Sequence, residues 1–292
     1  MQVLGQNFDM ITPETEMKFD AVEPQPGQFD FSGADKLVTF ARANHMAVRG
    51  HVLVWHQAIP AWFANGSYDR DESIQVLHDL IDAEVGHFRG QVLAWDVVNE
   101  ALFDDGSYRK SIWLDRIGPD YVTMAFQWAH QDDPSALLFY NDYGIEALNT
   151  KSNAAYALLK GLKQEGVPID GVGFQMHIRA DAPPVQASVQ ANMERFAALG
   201  LAVHITEMDV STAYLRGTPD QQMSQQGQVY QQMAGACLAV KACGALVVWG
   251  VSDRHTWLRS FLDPNERPLL FDDDYQAKPA YAYLLAALQY MP

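Results

Sequence analysis

Cysteine is nearly absent from this sequence of 292 residues: Cys237 and Cys243 are the whole supply. They stand six positions apart, in a stretch that reads as a helix running towards a strand. No framework disulfide is expected of such a pair, and nothing else in the sequence asks for an oxidising compartment. Charge is sparse at 19% of residues, while 48% are hydrophobic, which excludes a disordered chain and allows a sizeable core. The opening MQVLGQNFDM has neither a charged n-region nor an apolar h-region. No signal peptide is visible, so the cytoplasm is the default location, with secretion the alternative if a leader has been trimmed away. No apolar run approaches the ~18 residues of a membrane span. Positive charge is the scarcer sign, with 20 basic against 36 acidic residues and a net charge of −16. Such a chain repels phosphate backbones and anionic membranes, so nucleic acid and membrane are poor partners and a neutral substrate fits better.

Gly-rich phosphate loops are missing too. Neither G-x-G-x-x-G nor G-x-x-x-x-G-K-[ST] occurs, which counts against a doubly wound nucleotide-binding sheet. Metal motifs are likewise lacking, with no H-E-x-x-H and no C-x-x-C. His51 and His56 lie five apart on a strand, on opposite faces, which is not chelating geometry. No metal and no cofactor is expected.

What is present is alternation. Strand-like runs occupy 8–12, 47–55, 92–100, 137–143, 171–177, 201–210 and 245–253, with helical patterns such as 34–45, 72–88, 119–131 and 152–166 between them. Strands spaced by helices imply parallel pairing with right-handed crossovers. Chemistry-bearing residues gather towards the carboxyl ends of these runs: Glu14, His51, Trp55, Asn99, Glu100, Asn141, Tyr143, Gln175, His177, Glu207, Asp209, Trp249 and Asp253. That distribution is the mark of a TIM-type (β/α) barrel. No linker, repeat or low-complexity segment appears, so the reading is one catalytic domain over residues 1–292. Seven strand–helix units are visible where a closed barrel has eight.

Two glutamates carry the functional argument. Glu100 ends the run AWDVVNE and Glu207 interrupts HITEMD, each beside β-branched residues. A carboxylate among valines and isoleucines is costly to bury without a partner. Paired carboxylates on different strands suit glycosidic bond cleavage, one protonated as general acid and the other ionised as nucleophile or base. Asn99 can donate to a sugar hydroxyl. Alternation places Glu207 and Asp209 on one face of their strand, and Gln175 and His177 on one face of theirs. Trp55, Trp62, Trp249 and Trp257 fall at or just after strand ends, where an indole can stack on a pyranose.

The motifs TPETEMKFDAVEPQPGQFDFSGAD, VRGHVLVWH, WDVVNE, YNDY, GVGFQMH, HITEMD, VVWGVSDRHTW and LLFDDDYQAKPAY, in this order from about residue 7 to residue 285, resemble glycoside hydrolase family 10. That resemblance implies a retaining endo-β-1,4-xylanase acting on xylan or xylooligosaccharides. It implies Glu100 as acid/base and Glu207 as nucleophile, with Asn99, His177 and Asp209 in support. Glu14, Lys18, His51, Trp55, Gln175, Trp249 and Trp257 would line the glycone subsites, and Tyr143 the aglycone side. Thr15, Ala58 and Met176 depart from the family pattern, and the first two should weaken a glycone subsite. The resemblance also implies one more strand–helix unit than is visible, so the barrel is expected to be shortened at its start and closed either by a second subunit in a homodimer or by a local rearrangement. The alternatives are a related β-glycanase with altered glycone subsites, or a non-catalytic or weakly active carbohydrate-binding barrel.

Overall fold

Apolar runs bounded by amphipathic stretches become buried strands joined by helices. The computed structural model describes residues 2–290. Its strands are β1 (Met10–Ile11), β2 (Ala47–Val54), β3 (Ala94–Asn99), β4 (Leu137–Asp142), β5 (Gly171–Phe174), β6 (His177–Arg179), β7 (Ala202–Ser211) and β8 (Cys243–Val248). The helices are α1 (Gln2–Asn7), α2 (Phe19–Val22), α3 (Ser32–Ala43), α4 (Ala61–Asn65), α5 (Arg70–His87), α6 (Ile112–Ile117), α7 (Asp120–Asp132), α8 (Thr150–Gln164), α9 (Gln186–Ala197), α10 (Pro219–Leu238), α11 (Leu258–Phe261) and α12 (Pro279–Tyr290). Of the eight strands, β5 and β6 belong to one run, broken at Gln175-Met176, because Met176 takes a left-handed φ of 65°. Seven strand runs remain, as expected. No helix among the described residues is long and apolar enough to cross a membrane.

The chain divides into two compact units. The first holds residues 1–142 and 153–172. In it β1, β2, β3 and β4 pair in order, all parallel, with Arg49 opposite Ala94 and Asn99 opposite Asn141. Every residue of β3 is buried. Gly50 is required beside it, since a Cβ there would stand 2.1 Å from the Trp95 ring. Helix α5 starts at a capping box in which Asp69 and Glu72 exchange hydrogen bonds of 2.9 Å. That arrangement satisfies two amides which the first helical turn leaves open. The indole of Trp62 donates to the Glu23 carbonyl at 2.9 Å and packs edge-on to Phe19, which ties α4 to α2.

The second unit holds residues 143–152 and 173–292. Here β7 carries β6 on one side and β8 on the other, both parallel. Helix α10 packs on α12 at Gly227, where a Cβ would meet the Tyr283 ring at 2.3 Å. Strand β7 is almost wholly buried, whereas most residues of β8 are half-exposed. The cysteine expectation fails in this unit. Cys237 in the last turn of α10 and Cys243 at the start of β8 are disulfide-bonded, with Cα atoms 5.4 Å apart. The turn between helix and strand folds the chain back on itself, which the linear spacing did not reveal.

Candidate active site

In the first unit polar side chains gather within and just beyond β2, β3 and β4. Arg49 and Asp96 are both charged residues inside apolar strands, and both are fully buried. The Arg49 guanidinium engages the Asp96 carboxylate, with Nε at 3.0 Å, and lies 4.6 Å over the Phe139 ring. Burial alone would raise the Asp96 pKa, but Arg49 and His51 outweigh it and hold the carboxyl below its ordinary range. His51 Nδ1 sits 3.0 Å from Asp96 Oδ2, the same oxygen that accepts from Arg49 Nε, which fixes the ring within β2. His51 lies mid-strand, whereas His56 lies beyond the strand's end, its Nδ1 3.7 Å from Glu100 Oε2.

Glu100 follows β3 directly. Its N–H donates to the Asn141 carbonyl at 2.9 Å, and its φ is 56°. Asn141 Nδ2 donates to Asn99 Oδ1 at 2.9 Å, and Asn99 Nδ2 to Glu100 Oε1 at 3.3 Å. An amide chain therefore runs from β4 to the carboxylate. Trp55 lies under the Lys18 ammonium, which is 4.7 Å from the ring centroid. Glu14 is exposed in the segment between β1 and α2.

In the second unit His177 is the hub. Its Nε2 is 3.1 Å from Glu207 Oε2 and its Nδ1 is 2.9 Å from Asp209 Oδ2. Burial would lower the imidazole pKa, but Asp209 and Glu207 overcome it and raise it well above the ordinary histidine range. Each ring nitrogen faces a carboxylate oxygen, a pairing that favours the imidazolium, which can donate to both. Trp257 Nε1 donates to the same Asp209 oxygen at 2.8 Å, and its ring meets the imidazole edge-on, as does that of Trp249. Glu207 and Asp209 thus share one face of β7, as alternation requires. The Gln175 carbonyl accepts from the Glu207 N–H at 3.0 Å. Tyr143 lies beneath Lys151, whose ammonium is 3.3 Å from the ring centroid.

The family model described as Glycosyl hydrolase family 10 matches residues 1–287. This chain belongs to glycosyl hydrolase family 10. It is 43% identical to endo-1,4-beta-xylanase B of Thermotoga neapolitana over 96% of this chain and 81% of that protein. The crystal structure of native xylanase 10B from Thermotoga maritima matches with a TM-score of 0.96 and 43% identity, covering 99% of this chain and 88% of that one. Xylanase 10B from Thermotoga petrophila, solved in complex with xylobiose, matches with a TM-score of 0.95 and 42% identity over the same shares of the two chains. The family 10 fold, a TIM-type (β/α) barrel, is the one read from the sequence.

Three residues that hold the polar groups described above escaped the sequence reading. Asp96 had a signal, since it interrupts an apolar strand just as Glu100 and Glu207 do. Glu146 had only a weak one. It is buried, which raises its pKa, and its Oε1 accepts the backbone N–H of Gly144 and of Met176, each at 3.1 Å. It thereby satisfies the left-handed peptide that precedes His177. Arg109 had none, because it lies in a polar loop. No group of three or more residues able to hold a metal ion occurs among the described residues.

Proposed function

We propose that this glycoside hydrolase is a retaining endo-β-1,4-xylanase acting on xylan or xylooligosaccharides. The observation that carries the reading is the held carboxylate of Glu207, buried on β7 and bonded to an imidazolium that Asp209 fixes from its other side. Such a group is oriented and ionised, as a nucleophile must be. Glu207 attacks the anomeric carbon, and the Glu100 carboxyl gives its proton to the departing glycosidic oxygen. Glu100, now a carboxylate, takes a proton from water. The resulting hydroxide equivalent displaces Glu207 from the anomeric carbon, and the starting protonation is restored. Asn99 meets the sugar 2-hydroxyl. Glu14, Lys18, His51, Trp55, Gln175, Trp249 and Trp257 line the glycone side, and Tyr143 the aglycone side. Thr15 and Ala58 each remove a sugar hydrogen bond worth roughly 0.5–1.5 kcal/mol from the subsite two sugars before the cleaved bond.

Hydrolysis of an aryl β-xylobioside by the wild type, Glu100→Ala and Glu207→Ala tests the assignment. Glu207→Ala loses nearly all activity. Glu100→Ala loses less when the leaving group is good, and azide restores part of its turnover. Variants that match the wild type overturn both roles. Faster cleavage of cellooligosaccharides than of xylooligosaccharides overturns the xylanase reading in favour of another β-glycanase. We further propose a homodimer, which the half-exposed β8 supports. A stable monomer in light scattering at working concentration overturns it.

A further inference from the structure

We propose that Arg109 is a positioning residue for Glu100, which it holds through the backbone. The inference rests on the acid/base reading of Glu100 given above. Glu100 carries a Cβ, yet its φ of 56° lies in the left-handed region that such residues avoid. An isolated strand end would relax out of that conformation and carry the carboxyl with it. Two contacts of the peptide backbone oppose this. The Glu100 N–H is bound to the Asn141 carbonyl at 2.9 Å, and the Glu100 carbonyl accepts from Arg109 Nε at 3.0 Å. The same guanidinium reaches the Leu102 carbonyl through Nη2 at 3.3 Å. One planar fork therefore fixes two carbonyls on either side of Ala101, which a lysine ammonium cannot match in geometry.

The chain returns Arg109 to this place by a short hairpin. Leu102 and Tyr108 form an antiparallel bridge. Phe103 N–H donates to the Ser107 carbonyl at 2.8 Å, Gly106 N–H to the Phe103 carbonyl at 2.9 Å, and Arg109 N–H to the Ala101 carbonyl at 2.7 Å. Gly106 supplies the positive φ, 86°, that the turn needs. The guanidinium also lies 4.8 Å over the Phe103 ring, which holds its plane in register with the two carbonyls. The hairpin has one consequence for chemistry: the direction of the Glu100 side chain depends on a cation nine positions further along the chain.

A residue that only maintained the fold would affect all substrates alike. A residue that aims the acid matters only where the leaving oxygen needs a proton. The test measures kcat/KM on xylotriose, whose leaving group is a sugar, and on 2,4-dinitrophenyl β-xylobioside, whose leaving group departs unprotonated. It uses the wild type, Glu100→Ala, Arg109→Met and Arg109→Lys. For Arg109→Met the loss on xylotriose is on the order of 10²-fold, the cost of a misplaced catalytic group. Its loss on the dinitrophenyl substrate is at least about tenfold smaller. Arg109→Lys shows the same split with a smaller loss, and it decides the matter if Arg109→Met does not fold by circular dichroism. Equal losses on both substrates, or none on either, overturn the proposal while Glu100→Ala still shows the split. If Glu100→Ala itself shows no split, the acid/base assignment falls and the proposal falls with it.

Discussion

Glu84 is a buried carboxyl whose placement is costly and serves none of the chemistry described above. It lies on the buried stripe of α5 with Leu77, Leu80, Ile81 and Val85, fully enclosed, and neither carboxyl oxygen has a hydrogen-bond partner among the described residues. Burial pushes its pKa well above the ordinary glutamate value. From about pH 4.3 up to that raised value, the folded chain holds one proton that the unfolded chain has released. Stability therefore falls as pH rises through this window, and the loss persists above it. Glu84→Leu removes both the unpaired carboxyl and the slope. It should stabilise the protein by about 1–3 kcal/mol at neutral pH, and the gain should grow with pH across the window. Urea unfolding of both proteins at several pH values measures it. Glu84→Gln, still polar and unpaired, should gain much less. A wild type as stable as Glu84→Leu at neutral pH contradicts the argument. The contrast with Glu100 and Glu207 shows what was legible at this scale. A carboxylate in an apolar strand stands out against period-two alternation, whereas one in a helix reads as its solvated face. Arg109 was illegible, and Glu146 nearly so, for another reason, since both act on backbone groups that only folding brings near them.

Elements were legible where their period was regular. Five of the seven strand runs were read to within two residues at either end, 171–177 breaking after β5 and 245–253 overrunning β8 by five residues, and the helices over 34–45, 72–88, 119–131 and 152–166 to within two of α3, α5, α7 and α8. The misses have local causes. The run 171–179 breaks because Met176 is left-handed, which hydrophobic alternation cannot show. The disulfide arises because the chain turns between α10 and β8. The C-terminus of α3 is another case, as it closes in a Schellman arrangement: Met46 N–H reaches the Ala41 carbonyl at 2.9 Å and His45 N–H the Arg42 carbonyl at 3.3 Å. His45 then occupies the left-handed position, φ 57°, where glycine is the usual residue. Its side chain is exposed, so little packing is lost with it. His45→Gly should therefore raise stability by about 1 kcal/mol, the cost of a left-handed side chain less the added freedom of glycine in the unfolded chain. Denaturant midpoints compare the two proteins, and a clear loss of stability for His45→Gly refutes the strain at this cap.

Charge is the property that belongs to the whole molecule. The net charge of −16 makes nucleic acid a poor partner, and it also bears on which xylans the enzyme meets readily. A neutral xylooligosaccharide feels no long-range force from this field. A xylan bearing uronate side groups is repelled by it, and the repulsion reaches as far as the solution's screening length. That length shrinks from about 30 Å at 0.01 M salt to about 8 Å at 0.15 M. Encounter with the acidic polymer should therefore quicken as salt is added, while encounter with the neutral one should not. In NaCl from 10 to 150 mM as about the useful range, kcat/KM on uronate-bearing xylan is expected to rise roughly twofold to tenfold, and on neutral xylooligosaccharides to change by less than about twofold. The neutral substrate serves as the control for any effect of salt on folding or on the imidazolium at His177. Equal salt responses would show that charges near the cleft, and not the field of the whole chain, govern the approach of the polymer.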